Sequence, residues 1–365
     1  MKRLFVLLLV FIFAGCQGKV ETVPSTNDAP AETSKGTAVP TFSIASSEYP
    51  SWSTLMVAAK AGLINAEKGG KPGTLEEKWN VDVVLFVKDY DPCITAYANE
   101  AIDAVCITNI DCLAVSMSVP STAILATSTS VGGDKIIAVD GIDSVEKLKG
   151  VSVYGLAKSV SQFLHQRMIE KYNLDAKDYP FLSLDPAAAA TSLQTGSNST
   201  KAIDVWNPFA LETLRTSPSA KVVFDSSSIP EEIIDMIVVS NKALEKEGAN
   251  RFACCLCDAF YQICDKLENA DTKKTTLTAL GEDFCKLSPE DMEICCKDTQ
   301  FYKNPDSAIK LFSSPEFKKT METVVATCKA IGIPDNSLKP VIGYNDKKSE
   351  LNFSTVYMEE FKNSK

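Results

Sequence analysis

An α/β protein organised in two lobes is predicted by three features of the sequence. Short β-branched runs alternate with stretches of 3.6-residue period, the pattern of mainly parallel sheets flanked by helices. Three strands lead into sharply punctuated helix starts, at Asp91 with Pro92, Asp185 with Pro186, and Asn207 with Pro208. About 325 residues follow the N-terminal segment, more than one core normally organises.

From the N-terminus, "MKRLFVLLLVFIFAGC" joins a basic start, an apolar run of about a dozen residues and a small-residue exit. That is the pattern of a secretory signal over residues 1–15, too short for a stable span. "FAGC" resembles the bacterial lipobox, with Phe13 in place of leucine, which implies cleavage before Cys16 and lipidation of its sulfur. An ordinary signal peptide is the alternative. Residues 16–39 have no hydrophobic period, only Thr, Ser, Pro, Ala and charge, as expected of a flexible tether. The folded body is expected from Pro40.

In open parallel sheets ligands sit outside the carboxyl ends of the strands, where helix N-termini gather. The polar residues at those ends are therefore the candidates. Thr41 to Ala45 reads as a buried strand and is followed by Glu48, Tyr49 and Trp52 in "SSEYPSW", just before a helix begins. The segment "AEKGGKPGTLEEKW" is expected to be a mobile surface turn. "VDVVLFV" is followed by Asp89 and Asp91, with Asp91 expected as an N-cap and Pro92 as the first helical residue. "DAVCIT" leads to Asn109 and Asp111, and "TAILATST" to Ser130 and Asp134. Ser159 and Ser161 follow "VSVYG" and cap the helix "SQFLHQRMIEKY". Asp185 caps a helix that closes at Gly196, and Trp206 with Asn207 ends "AIDVW". Each has a plain structural reading as well: Asp or Asn before Pro is first of all a cap, and tryptophan commonly packs. After "EEIIDMIVVS", residues 241–365 read as nearly all helical, a support for one lobe rather than a site.

Several function classes are disfavoured. Without Lys2 and Arg3 the chain carries 35 basic against 47 acidic residues, a formal charge of −12, and no basic cluster interleaved with aromatics. Nucleic acid is not an expected partner. Of the twelve cysteines, eight crowd the C-terminal third on helical patterns, where adjacent pairs such as Cys254 and Cys255 cannot all bridge; most read as small core residues. Cys254 and Cys257 have C-x-x-C spacing, yet no second pair or nearby histidine completes a metal site. The one histidine, His165, lies within a helix. Neither a G-x-S-x-G elbow nor a phosphate-cradling loop is present, so an enzyme is the minority reading and no cofactor or metal is expected.

The segments "YPSW", "GGDKIIAV", "DSVEKLKG" and "WNP" resemble solute-binding proteins of ABC importers in the nitrate, sulfonate, taurine and thiamine-precursor group. "AIDVWNPFALETL", "VVFDSSSIPEEIIDMIVVS" and "FYKNPDSAIKLFSSPEFKKTME" are similar to the urea carboxylase-associated, urea- or guanidine-type binding proteins. The resemblance runs from about Thr41 to Ile331. It implies the type II periplasmic-binding-protein fold, with two Rossmann-like lobes joined by two antiparallel hinge strands at 135–139 and 235–239. Lobe one would comprise residues 40–139 and 235–365, and lobe two residues 140–234. The implied role is that of an extracytoplasmic, lipid-anchored and monomeric protein that captures a small solute between its lobes and delivers it to a membrane permease. Glu48, Tyr49, Trp52, Asp91, Asn109, Asp111, Ser130, Ser161, Trp206, Asn207 and Asp235 are then the expected ligand residues. Carboxylates dominate the strand ends and no arginine lies there, which suits a planar guanidinium stacked on tryptophan, with urea as its uncharged relative. A sulfonate, nitrate or pyrimidine solute is the alternative, and an enzyme or sensor on the same fold the last.

Overall fold

The computed structural model describes residues 38–196, 200–334 and 339–365. The expected signal peptide, Cys16 and the tether as far as residue 37 lie outside the described residues. The chain opens with β1 (Thr41–Ser46), α1 (Thr54–Lys60), α2 (Thr74–Trp79), β2 (Asp82–Val87), α3 (Tyr90–Ala98), β3 (Ala104–Thr108), α4 (Asn109–Val115) and β4 (Ser121–Ser130). It crosses into a second lobe of β5 (Asp134–Ala138), β6 (Val153–Gly155), α5 (Val160–Lys171), β7 (Phe181–Ser183), α6 (Pro186–Thr195), β8 (Ala202–Trp206), α7 (Phe209–Thr216) and β9 (Lys221–Asp225). It returns through β10 (Ile234–Ser240), α8 (Asn241–Leu244), α9 (Ala249–Glu268), α10 (Ala270–Leu280), α11 (Pro289–Asp298) and β11 (Thr299–Phe301). The last elements are α12 (Pro305–Ser313), α13 (Pro315–Ala330), β12 (Ile342–Tyr344), β13 (Leu351–Phe353) and α14 (Val356–Asn363).

Two sheets result. The first has the order β12-β13-β4-β10-β3-β1-β2, with β11 added to β4, and the second the order β7-β6-β8-β5-β9. The β1, β2 and β3 strands are mutually parallel, as are β7, β6 and β8. The two expected hinge strands run against their neighbours, β10 antiparallel between β3 and β4 and β5 antiparallel between β8 and β9. These are the two strands that enter a sheet straight from the other lobe. Without a crossover helix to turn the chain round, nothing obliges them to run parallel.

The same pairing moves a boundary. Residues 135–138, expected to belong to lobe one as a hinge strand, pair only within the second sheet. The outward crossing is the segment 131–133 and the return is 226–233. The two crossings are stapled together: the Ser130 and Ser226 hydroxyls lie 2.7 Å apart, and the Gly132 N–H donates to Ser226 Oγ at 2.8 Å. Gly132 has φ +89°, which favours glycine, and a Cβ on Gly133 would stand 2.9 Å from Ser130 Oγ.

The C-terminal stretch is not wholly helical, since three-residue strands β11, β12 and β13 are too short to show a period of two. It also reaches the crossing. Asp298, at the end of α11, accepts from the Val131 N–H at 2.8 Å and pairs with the buried Lys135 at 2.8 Å. Cys254, Cys255, Cys257 and Cys264 line α9 and are buried, and burial pushes their thiols up, that of Cys254 to about 12.

The expected mobile turn after α1 is instead laced to the sheet. The buried Glu76 carboxylate accepts from the Asn65 and Gly73 N–H groups at 2.6 Å and from Val83 N–H at 2.8 Å. A buried carboxylate with three backbone donors holds a loop as firmly as a strand pair does. Glu76→Gln turns one acceptor into a donor facing a backbone N–H, and should lower unfolding free energy by about 2 kcal/mol in urea titration.

Candidate functional site

The turn after β1 is built to hold two rings still. Ser51 Oγ lies 3.0 Å from Thr127 Oγ1 and 2.8 Å from Ser128 Oγ, tying the turn to β4. Trp52 and Ser53 N–H groups both donate to the Tyr49 carbonyl, at 3.1 and 2.8 Å. Tyr49 and Trp52 thereby pack at 4.9 Å between ring centroids, and Trp52 stacks on Tyr90 of α3 at 5.3 Å and 19°. Tyr90 meets Trp206 of the second lobe edge-on at 5.7 Å, and Trp206 meets Phe209 at 6.5 Å. An aromatic chain thus crosses from one lobe to the other.

Two recesses flank that chain. The outer one, about 320 Å³, is lined by Glu48, Asp89 and Asp91 from the first lobe and by Asp185, Trp206 and Phe209 from the second. The inner one, about 10 Å³, is lined by Tyr49, Trp52, Thr108 and Asp235 from the first lobe and by Asp134, Val160 and Trp206 from the second. That is room for roughly one water molecule. Tyr90 and Trp206 border both. No Lys, Arg or His lines either recess among the described residues.

Burial dominates the electrostatics. It raises the Glu48 carboxyl, Lys286 opposes the rise and Asp89 adds to it. Burial pushes Asp111 from the ordinary 3.8 up to about 6, although Thr108, Tyr90 and the Val160 backbone N–H favour its anion and Asp91 acts against it. The Tyr90 and Thr108 hydroxyls both donate to Asp111 Oδ2 at 2.7 Å. Asp134 is likewise raised to about 6 by burial, against Ser130 and Lys135. Asp235 rises well above the carboxylate range through burial, despite the Ser128 hydroxyl that donates to it at 2.6 Å. Asp204, one residue pair deeper on β8, is 1% exposed, and neither of its oxygens has a partner among the described residues. Burial and Asp134 push it well up too.

The candidates from sequence divide into three groups. Glu48, Asp91 and Trp206 meet at the outer recess, and Tyr49, Trp52, Asp235 and Trp206 at the inner one. Asp111 stands behind Tyr90 and Thr108. The remainder do not line either recess. Asn109 bridges the return crossing, donating to the Glu232 carbonyl at 3.0 Å and accepting from Ile234 N–H at 2.9 Å. Ser130 belongs to the staple between crossings, and Asn207 Oδ1 accepts from the Leu211 N–H at 3.2 Å. Ser161 is buried in the first turn of α5, with Ser159 as the N-cap.

Two cap expectations shift. Asp89 is the N-cap of α3, with Asp91 inside its first turn, and α7 starts at Phe209 after a cis Asn207–Pro208 bond. Asp185 caps α6 as expected, its Oδ1 accepting from Ala187 and Ala188 N–H at 3.0 and 3.1 Å. Tyr90 was not legible as a site residue. It sits between two aspartates in a helical first turn, and only its ring contacts show its place.

No family model matches the chain, and no curated protein matches it in sequence. Solved structures do match. The periplasmic aliphatic sulphonate-binding protein of Escherichia coli is 18% identical with a TM-score of 0.63, over 81% of this chain and 94% of its own. The periplasmic nitrate-binding protein of Synechocystis PCC 6803 is 13% identical with a TM-score of 0.54, over 82% and 91%. A Candida albicans protein exhibiting the generic periplasmic binding protein structural fold is 14% identical with a TM-score of 0.56, over 89% and 95%. The chain therefore has the periplasmic-binding-protein fold, two α/β lobes joined by two crossings.

Proposed function

We propose that this protein is the extracytoplasmic solute-binding component of an ABC importer, anchored through a lipid on Cys16. It captures a small planar nitrogenous solute, guanidine- or urea-like, between its lobes and presents the closed form to a permease. One observation carries the reading. Both recesses between the lobes combine aromatic rings with carboxyl groups, and neither is lined by a basic side chain among the described residues. Rings supply flat, apolar walls, and carboxyl oxygens accept from N–H groups in the plane of such a solute. The helix starts at the cleft also carry their own acids, Asp91 on α3, Asp111 on α4 and the cap Asp185 on α6, so their partial positive charge is largely matched.

A sulfonate or nitrate is the second reading. It is favoured by what two fold neighbours are named for, and by α5, whose first turn holds no acid. A thermal-shift panel on the full chain separates the two, with guanidinium, urea, methylguanidinium, taurine and nitrate at matched ionic strength. A solute at one hundred times its Kd stabilises by about 2.7 kcal/mol, enough to raise the melting temperature by several degrees. Guanidinium or urea should do so while taurine and nitrate do not. A rise with an anion alone would sink the nitrogenous reading.

A further inference from the structure

We infer that α11 is a charged strap that holds the two lobes closed when no solute is bound. The helix belongs to the first lobe: Met292 and Cys295 are buried there, and β11, which follows directly, pairs with β4 of the first sheet. Asp291 and Asp298 lie seven residues apart on it, two turns, so both project from one face about 10 Å from each other. That face meets the second lobe. Asp291 pairs with Arg215 of α7 at 2.6 Å, and Asp298 pairs with Lys135 of β5 at 2.8 Å while also accepting from Asn207 Nδ2 at 3.3 Å. No other ion pair among the described residues joins an element of one lobe to an element of the other.

The two pairs sit at different distances from the crossings. The Asp298 carbonyl accepts from the Val131 N–H within the outward crossing, so the pair with Lys135 moves little as the lobes part. Asp291 lies two turns farther out, and the segment before α11 runs beside the outer recess, where Lys286 acts on the charge of Glu48. Opening the cleft therefore stretches the Arg215–Asp291 pair first. Its side chains are 57% and 26% exposed, so little desolvation opposes it and salt screens it. An exposed pair adds little to the fold, yet a small bias suffices to move an equilibrium between two folded states. Solute then enters during transient openings and meets lobes whose closure is already favoured.

Hydrogen exchange of the solute-free full chain, read by mass spectrometry on a peptide spanning Val160, tests this. Val160 is the first residue of α5, so its N–H has no carbonyl to bond within its own helix, and it donates across the cleft to Asp111 instead. Its exchange reports opening. Arg215→Glu sets like charges face to face and should speed that exchange about tenfold, and combining it with Asp291→Arg should restore the wild-type rate to within about twofold. The amides of β3, inside the first sheet, should not change in either variant. Should the variants fold poorly, salt provides the second measurement: raising it from about 0.1 to 1 M shortens the Debye length from about 10 to 3 Å and should speed wild-type exchange at Val160 about threefold, with β3 unmoved. Exchange that is unchanged in Arg215→Glu, not restored by the charge swap, or unmoved by salt overturns the strap. The readout needs only the two-lobed fold and no solute, so that outcome leaves the proposed function standing, and failure of every solute to bind leaves the strap standing.

Discussion

Trp206→Ala should weaken solute binding by about 100-fold, the equivalent of about 2.8 kcal/mol, whichever planar solute is used. Trp206 is the one second-lobe ring that borders both recesses, and it closes on Tyr90 edge-on at 5.7 Å. Truncation removes a wall of the site and the ring through which one lobe touches the other. Affinity falls twice over, by lost contact with the solute and by a closed state that is less favoured. Because Trp206 is largely buried, truncation also costs stability, by about 3 kcal/mol or more. Trp206→Phe separates the effects: it keeps a wall and should lose no more than about tenfold. Calorimetry at 25 °C with circular dichroism as the folding check reads both variants. If Trp206→Ala stays within threefold of the wild type, the solute does not bind between the lobes.

Without solute, the folded protein should lose stability as pH rises from 6.5 to 8. Burial raises the Asp204 and Asp235 carboxyls well above the ordinary carboxylate range, so the fold keeps protons at pH values where the unfolded chain has released them. Stability then falls with pH, by about 1.4 kcal/mol per pH unit for each proton held. Asp111 and Asp134, raised to about 6, act in the same direction but mostly between pH 4 and 6. There His165 opposes them: burial lowers it to about 4, so the unfolded chain takes up a proton that the fold refuses, and stability rises with pH. That contribution fades as pH rises above 6.5, where the unfolded imidazole loses its own proton. Chemical denaturation at pH 6.5, 7.25 and 8 measures the slope. Asp204→Asn should reduce it, whereas a flat wild-type profile would show that these carboxyls ionise in the fold as readily as outside it. The solute adds a control, since bound guanidinium should flatten the slope by offsetting one negative charge and bound urea should leave it nearly unchanged.

Asp185 shows what local sequence settles. The aspartate before Pro186 caps its helix through donors within three residues, a contact that does not depend on distant segments. The strand runs, the capped starts at the strand ends and the aromatic turn "SSEYPSW" are of the same kind, and so is the fold class. Asp91 marks the edge of that reach. The cap fell two residues earlier, on Asp89, a shift of about half a turn, and both aspartates line the outer recess.

What the sequence by itself determined, then, is the alternation of elements, the excess of acid over base and the presence of Glu48, Trp52 and Trp206 at strand ends. Only the tertiary structure decided which of these residues meet. Asn109, Ser130 and Asn207 look like ligand residues in one dimension, yet each satisfies backbone or side-chain groups at or beside the crossings. Asp134 became central because β5 joins the second sheet, pairing it with Trp206, and Tyr90 because its ring lies between Trp52 and Trp206. The physical reason is separation along the chain. Caps and strand periods arise from neighbours a few residues apart, whereas the stacking of Trp52 on Tyr90 and the edge of Trp206 exist only once distant segments pack and exclude water.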